Sequence, residues 1–305
     1  MKVLITGGAG YLGTELVRHL APQPDISQIV IYDNLSRSNF NLFLGDEFES
    51  KNKIRLIQAD ILDSRTLEKS VQGSSVLFHL AARVTTPFAN VDAHGFEQIN
   101  HWGSAAVVNA IEKFEVPKAV YMSSASVYGP APKAVDESVE PKPHTFYGIS
   151  KANGETHFQR IFDKCQCLVL RCGNVFGFGN SLRLEGVINN FLFNANFKRR
   201  IKINGDGSQV RSFTNIENAT SVLANIWRTN YGSGVYNLVE APFSINEIVD
   251  HLLKIYPDLE TIHVNRDLKL EHSNVLPNLR VNKLMTAPKE NLLDGLQRFA
   301  SHFSF

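Results

Sequence analysis

The chain has 305 residues, 43% of them hydrophobic and 20% charged, a composition that supports one large globular domain or two closely joined ones without disulfides. Lysine and arginine total 31 against 30 acidic residues, a formal charge of +1, which lacks the basic excess of a nucleic-acid binder. No apolar run reaches the roughly 18 residues of a membrane span, and the three cysteines, with no secretion-type leader before them, point to reduced thiols in the cytoplasm.

In chain order, Val3-Leu4-Ile5 reads as a short buried strand, followed by glycines and then by Leu12, Leu16 and Leu20 at helical spacing. Residues 29–32, 54–57 and 76–80 are three further β-rich runs. Residues 96–114 read as a helix that Pro117 stops, 119–122 as a fifth strand, 147–163 as a second long helix and 168–170 as a sixth strand. The Pro-rich stretch 130–143 reads as a loop. Short apolar strands alternating with helices predict a doubly wound α/β domain, a Rossmann-type parallel sheet covered on both faces.

After Arg171 the rhythm changes. Residues 173–212 are rich in Gly, Asn and Arg, with one amphipathic stretch near 186–198. Val235 to Val239 resembles one more sheet strand. Ser244 and Glu247 form a capping box that opens a helix over 244–255. The expected organisation is a dinucleotide-binding domain, 1–172 plus 213–240, and a small C-terminal substrate cap, 173–212 plus 241–305.

Gly7, Gly10 and Gly13 recur at three-residue spacing directly after the first strand and open a helix that includes Tyr11 and Leu12. Glycine there permits a tight turn and lets backbone amides approach a pyrophosphate at the helix N-terminus. Asp33 ends the second strand, where a carboxylate accepts ribose hydroxyls. Asp60-Ile61 follows the third strand, within reach of an adenine. Leu80-Ala81-Ala82 ends the fourth with small side chains that leave room for a nucleotide. Together these predict a dinucleotide site. Asp33 favours NAD over NADP, because a carboxylate repels a 2′-phosphate, and Arg37 nearby pulls the other way.

Tyr147 and Lys151 lie four residues apart, on one face of a helix. A free phenol, with a pKa of about 10, is too weakly acidic to act as a base at neutral pH. A neighbouring ammonium and the positive nicotinamide are expected to lower it, so that Tyr147 exchanges a proton with a substrate hydroxyl. The run Tyr121 to Gly129 supplies serines after the fifth strand, at the carboxyl edge of the sheet where such folds bind ligands.

With these motifs, and with Asn34, Ser36, Asn100, Asn174-Val175-Phe176-Gly177 and Gly205-Asp206-Gly207 to Arg211, the chain resembles the extended short-chain dehydrogenases/reductases of the NAD-dependent epimerase/dehydratase family. The resemblance covers nearly the whole chain. It implies that Ser124, Tyr147 and Lys151 are catalytic, that Asn34, Ser36 and Asn100 join the cofactor side, with Asn100 near the active site and helping to order it, and that Asn174 and Arg211 contact the nucleotide or diphosphate of a nucleotide-sugar substrate. A family arginine near the C-terminus aligns with His272, and Arg183 or Arg280 stands by to compensate. Relatives that eliminate water carry an acidic pair after the catalytic hydroxyl, whereas this chain has Ala125 and Ser126. That pattern resembles the 4-epimerases, which oxidise a sugar C4 hydroxyl and return the hydride to the other face. A net reductase or dehydrogenase of a 4-keto or 4-hydroxy sugar is a second reading, and a silent dinucleotide-binding protein a third. The resemblance also implies a homodimer through helices 96–114 and 147–163.

Cys165 and Cys167 share a strand face and Cys172 is out of phase, with no histidine nearby in sequence, so no metal site is expected. His144 and the run Lys198-Arg199-Arg200 read as solvated surface.

Overall fold

The computed structural model describes residues 1–44, 50–84, 92–265, 270–286 and 291–305. In order, its elements begin with β1 (Lys2–Thr6), α1 (Tyr11–Leu20), β2 (Gln28–Asp33), β3 (Ile54–Gln58), α2 (Ser64–Val71) and β4 (Val76–His79). There follow α3 (Ala93–Phe96), a π-helical turn (Glu97–Trp102), α4 (Gly103–Lys113), β5 (Lys118–Ser124), β6 (Ala131–Val135), α5 (Phe146–Gln159) and β7 (Gln166–Cys172). The rest comprises β8 (Asn174–Phe176), α6 (Val187–Lys198), β9 (Arg200–Asn204), β10 (Val210–Asn215), α7 (Ile216–Ile226), β11 (Gly234–Leu238), β12 (Ala241–Ser244), α8 (Ile245–Ile255), β13 (Glu260–Val264), β14 (Ser273–Val275), α9 (Leu279–Asn282) and α10 (Leu292–Ala300).

Seven strands form one parallel sheet in the order β11-β7-β5-β4-β1-β2-β3. Successive side chains of a strand point to opposite faces, so Val3 and Ile5 join one core with Leu16, Val17 and Val222, while Leu4 joins another with Leu67, Val108 and Phe158. Both faces are covered, as the continuously apolar strands predict. The chain turns to the other side of β1 after β3. The carboxyl ends of β1 and β4 therefore flank a topological switch point, where open α/β sheets bind ligands.

The remaining strands are smaller. β12, β10, β14 and β6 form a second sheet in that order, with β8 also paired to β10, and β9 pairs with β13. Phe176, Ile188, Phe191, Leu192, Phe213, Ile248, Leu252, Leu296 and Phe299 build a separate core there. β10 runs across residues 212 and 213, and its whole length lies in the second sheet.

Three expectations are corrected. The Pro-rich stretch 130–143 contains a strand, β6, at an edge of the second sheet, where Pro132 interrupts no interior ladder. The helix expected to run to 163 ends at Gln159 and passes into turns. The helix expected over 96–114 starts earlier and carries a π turn around Asn100. The capping box is present, with Ser244 and Glu247 bonded reciprocally. Cys167 and Cys172 are buried on opposite faces of the large sheet and all three thiols are free. Among the described residues no helix is long and apolar enough to cross a membrane.

Candidate active site

The turn between β1 and α1 is built for close approach. Gly7 sits at φ +72° and donates its amide to Tyr32 O at 2.8 Å. A Cβ on Gly7 would lie 2.6 Å from Ala81 N, and one on Gly13 only 2.3 Å from Gly7 O. Glycine is required at both, for backbone conformation at the first and for space at both. Asp33 leaves β2 with one carboxylate oxygen accepting from Ala9 N at 3.0 Å and the other from Leu35 N at 2.8 Å. The acid is thus fixed beside the glycine turn. Asn34 donates to Asp60 at 2.9 Å, and Asp60 also caps Leu62 N. Ser36 donates its amide to Asn34 Oδ1. Leu80, Ala81 and Ala82 follow β4 beside Gly7 and are half-buried. A cradle with no room for a Cβ, a helix N-terminus and a fixed acid fits a dinucleotide.

Four expected residues make contacts within the protein. Ile61 buries its side chain in the core against Gly103. The Tyr11 hydroxyl donates to Gly177 O at 2.5 Å, Thr14 bonds Ser181 at 2.8 Å, and Glu15 accepts from Asn180 N at 2.8 Å. Arg37 pairs with Glu185. Segment 177–185 is therefore clasped to α1 and to the loop after β2. Asn100 is almost fully buried in the π turn; its side chain accepts from Arg83 N at 2.8 Å and donates to Arg83 O and to Ser150 Oγ, both at 3.0 Å. Its polar atoms are spent on bracing the chain after β4. The Ser104 hydroxyl donates to the Asn100 carbonyl at 2.6 Å.

Ser124 ends β5, and Tyr147 and Lys151 sit on α5, whose first turn is capped by Thr145. The Ser124 hydroxyl donates to Ser126 Oγ at 3.1 Å and lies beside the Tyr147 phenol. Tyr147 also meets the edge of Phe96. Burial pushes the Tyr147 phenol above its ordinary value, and the Ser124 hydroxyl and the Arg183 guanidinium oppose that rise. This differs from the expectation in one respect. The cation acting on the phenol is Arg183, because Lys151 turns its Nζ to Met122 O at 2.7 Å and over the Tyr121 ring at 4.8 Å. Burial lowers Lys151 to about 7, with Glu155 working the other way. His79, beneath them, bonds Thr6 and Ser104 and is held down to about 3 by burial and by the Lys151 charge, so it stays neutral.

The expected substrate residues come from two strands of the second sheet, β8 and β10, and from its approaches. Asn174 is exposed and donates to Ser212 O at 3.2 Å. Arg211 donates to Glu271 O, and burial lowers its pKa. His272, directly before β14, accepts from Val210 N at 3.2 Å through Nδ1. Arg183 lies on the Tyr147 side.

The residue that sequence reasoning missed is Glu155, one turn after Lys151. It pairs with Arg171 of β7 and accepts from Ser123 of β5. The available signal was a charged residue on the helix face that also carries Lys151 and Phe158, the face turned to the core.

The chain resembles several characterised proteins. It is 26% identical over 262 residues to a dTDP-D-glucose 4,6-dehydratase of Homo sapiens, covering 83% of this chain and 73% of the relative. It is 29% identical over 256 residues to a putative UDP-glucose 4-epimerase of Methanocaldococcus jannaschii, covering 81% and 80%. Among solved structures, the UDP-glucuronic acid 4-epimerase of Bacillus cereus, in complex with UDP-glucuronic acid and NAD, superposes with a TM-score of 0.85 at 24% identity over 99% of this chain and 98% of that one. That likeness shares the fold. The profile described as the NAD dependent epimerase/dehydratase family matches residues 3–238, and with a glycine cradle shaped for the cofactor the chain is an enzyme of that family, with NAD as its cofactor.

Proposed function

We propose that the protein epimerises a nucleotide-activated sugar at C4 through a transient 4-keto sugar. The dinucleotide-binding segments 1–172 and 213–240 hold the cofactor, and the cap segments 173–212 and 241–305 receive the substrate, with the whole of β10 on the cap side. NAD, when bound, supplies the capacity to accept a hydride from C4 and return it. The chain's own groups handle the proton and the orientation. Ser124 Oγ bonds the reacting oxygen; Tyr147 Oη takes the C4 hydroxyl proton and later gives it back; Arg183 favours the phenolate from nearby, and the Lys151 ammonium, held on Met122 O, adds its charge at longer range. Asn174 and Arg211 face the nucleotide diphosphate, where a guanidinium offers a charged fork.

The observation that carries this reading is the convergence of Ser124 and Tyr147 at the carboxyl edge of the sheet, followed by Ala125 and Ser126. Neither side chain can transfer a proton as an acid pair does in a water-eliminating relative. The clasp between α1 and segment 177–185 agrees with a cofactor kept through the catalytic cycle. The B. cereus and M. jannaschii relatives are named 4-epimerases, and the human relative a 4,6-dehydratase. Incubation with UDP-, GDP-, CDP- and dTDP-sugars, read by NMR and mass spectrometry, tests the reading. An epimer of unchanged mass, formed without added NAD, is expected. A product lighter by one water, or stoichiometric consumption of reduced cofactor, would overturn it. Two copies are further proposed to pair through α4 and α5, near the exposed Trp102, Phe146 and Ile149; sedimentation velocity at micromolar concentration tests that.

A further inference from the structure

Beneath the catalytic residues lies an ion pair removed from water. The Arg171 and Glu155 side chains are 4% and 2% exposed. Arg171 grips the carboxylate through two nitrogens, Nε to Oε1 at 3.0 Å and a terminal nitrogen to Oε2 at 2.7 Å. Ser123 Oγ donates to Oε1 at 2.5 Å. The guanidinium also stacks on the Tyr128 ring at 4.7 Å. A buried ion pair is expensive to desolvate and is weak support for stability by itself, so its position calls for an explanation. Ser123 directly precedes Ser124, and Arg171 is its register partner on β7. Glu155 lies one turn beyond Lys151. The clamp therefore joins the strand that carries Ser124 to the helix that carries Tyr147 and Lys151.

We propose that Glu155, held by Arg171 and Ser123, is a positioning residue of the active site: it fixes α5 against β5 and β7 and provides the buried negative charge that keeps Lys151 an ammonium. The ionisable groups facing Lys151 among the described residues are His79 from β4, Tyr121 from β5, Glu155 from α5, and Cys172 from β7. His79 is held neutral, burial pushes Cys172 up to about 12, and burial raises Tyr121. Glu155 is thus the one carboxylate in that set. Of the pair, the carboxylate is the member that acts on Lys151, while the guanidinium faces Tyr128. Lys151 is otherwise enclosed by Tyr121, with Phe158 stacked behind that ring at 4.4 Å, an environment that drives an ammonium to give up its proton.

The proposal rests on the reading of Tyr147 and Lys151 as the proton-handling pair, and its test is chosen to be separable from that reading. The chain is labelled with ¹³C at lysine Cε, and the Lys151 signal, assigned by its loss in Lys151→Arg, is followed with pH in the substrate-free protein. Removal of an anion disfavours the protonated form, so Glu155→Gln is expected to lower the Lys151 midpoint by roughly 1–3 pH units. The double variant Glu155→Gln/Arg171→Met removes both partners, avoids a lone buried cation, and is expected to shift the midpoint in the same direction by less than the single variant. Ser123→Ala keeps both charges and is expected to keep the midpoint. In turnover, the alkaline fall of kcat is expected to move to lower pH with KM little changed. A folded double variant with a wild-type midpoint would reduce the pair to a structural staple. Should Glu155→Gln prevent folding both alone and in the double variant, Glu155→Asp draws the charge back by one methylene, and the midpoint must still fall; an unmoved midpoint overturns the proposal. The titration needs no substrate, so it succeeds or fails whichever sugar is used. Full activity of Tyr147→Phe would sink the functional reading alone.

Discussion

The cofactor cradle and the substrate side are built on opposite plans. The cradle is nearly contiguous in sequence, from Thr6 to Gly13 with Asp33 beside it, and backbone geometry does most of its work. Gly7 and Gly13 leave no room for a side chain, and Asp33 is already fixed by two amides. The substrate side draws Asn174 and Arg211 from two strands and His272 from the approach to a third, and each has a polar atom bonded to the protein's own main chain. A ligand entering the cradle meets donors held in place. A ligand entering the other side must exchange existing hydrogen bonds for new ones, so each exchange contributes only the difference. Preorganisation is therefore concentrated where the cofactor stays, and adaptability where substrate comes and goes.

Three substitutions break the comparison at different points. The largest effect is expected at the junction of the two regions. Tyr147→Phe removes the proton-transferring oxygen and should lower kcat by roughly 10²–10⁴-fold, with NAD binding measured by calorimetry almost unchanged. Turnover within threefold of the parent would exclude Tyr147 as acid and base. Next comes the cradle. Gly13→Ala places a Cβ 2.3 Å from Gly7 O, and an overpacked site of this kind costs about 1–3 kcal/mol. If all of that falls on the bound state, NAD affinity drops by roughly 5–150-fold; an unchanged affinity would show that the turn yields, and that the cradle is not preorganised. On the substrate side, Arg211→Ala removes a charged donor worth about 1.5–3 kcal/mol. Because Arg211 already serves Glu271 O, the loss should sit near the lower end, about tenfold in nucleotide-sugar Kd, with NAD binding untouched. A loss of a hundredfold or more would mean that the arginine is held ready after all.

The same contrast explains what could be read from the sequence. Local signals carried the strands of the large sheet, the glycine turn, Asp33 and the Tyr147–Lys151 pair, because each is fixed by neighbours a few residues away. What escaped depended on distant segments. β6 forms because β14, more than 130 residues later, offers an edge, which outweighs the turn preference of its prolines. The π turn that sinks Asn100 toward Arg83 leaves no periodic trace over so few residues. Glu155 was hidden by its partner: a charged residue on the core-facing side of a helix has meaning only when Arg171 and Ser123 are known to meet it. The clasp of Tyr11 on Gly177 and of Arg37 on Glu185 also joins segments that sequence spacing keeps far apart.

The smallest expected effect is the sharpest probe of the substrate side, at His272. Viewed along the sequence, an imidazole replaces an arginine, and restoring the guanidinium would be expected to tighten a diphosphate clamp. The structure argues otherwise. His272 Nδ1 accepts from Val210 N at 3.2 Å, and its carbonyl accepts from Ala131 N at 2.7 Å, tying β14 to both β10 and β6. A guanidinium has no acceptor, so His272→Arg strands the Val210 amide in a half-buried place while adding a cation that competes with Arg211 for the same approach. The loss of that bond is worth about 0.5–1.5 kcal/mol, roughly 2–4 °C in melting temperature per kcal/mol for a domain of this size. His272→Asn, whose side-chain oxygen can take the place of Nδ1, should recover most of it. Calorimetry with a nucleoside diphosphate should show the Arg variant within about tenfold of the parent. Tightening beyond that, with an unchanged melting temperature, would show that the Val210 bond matters little and that the site has room for the missing arginine.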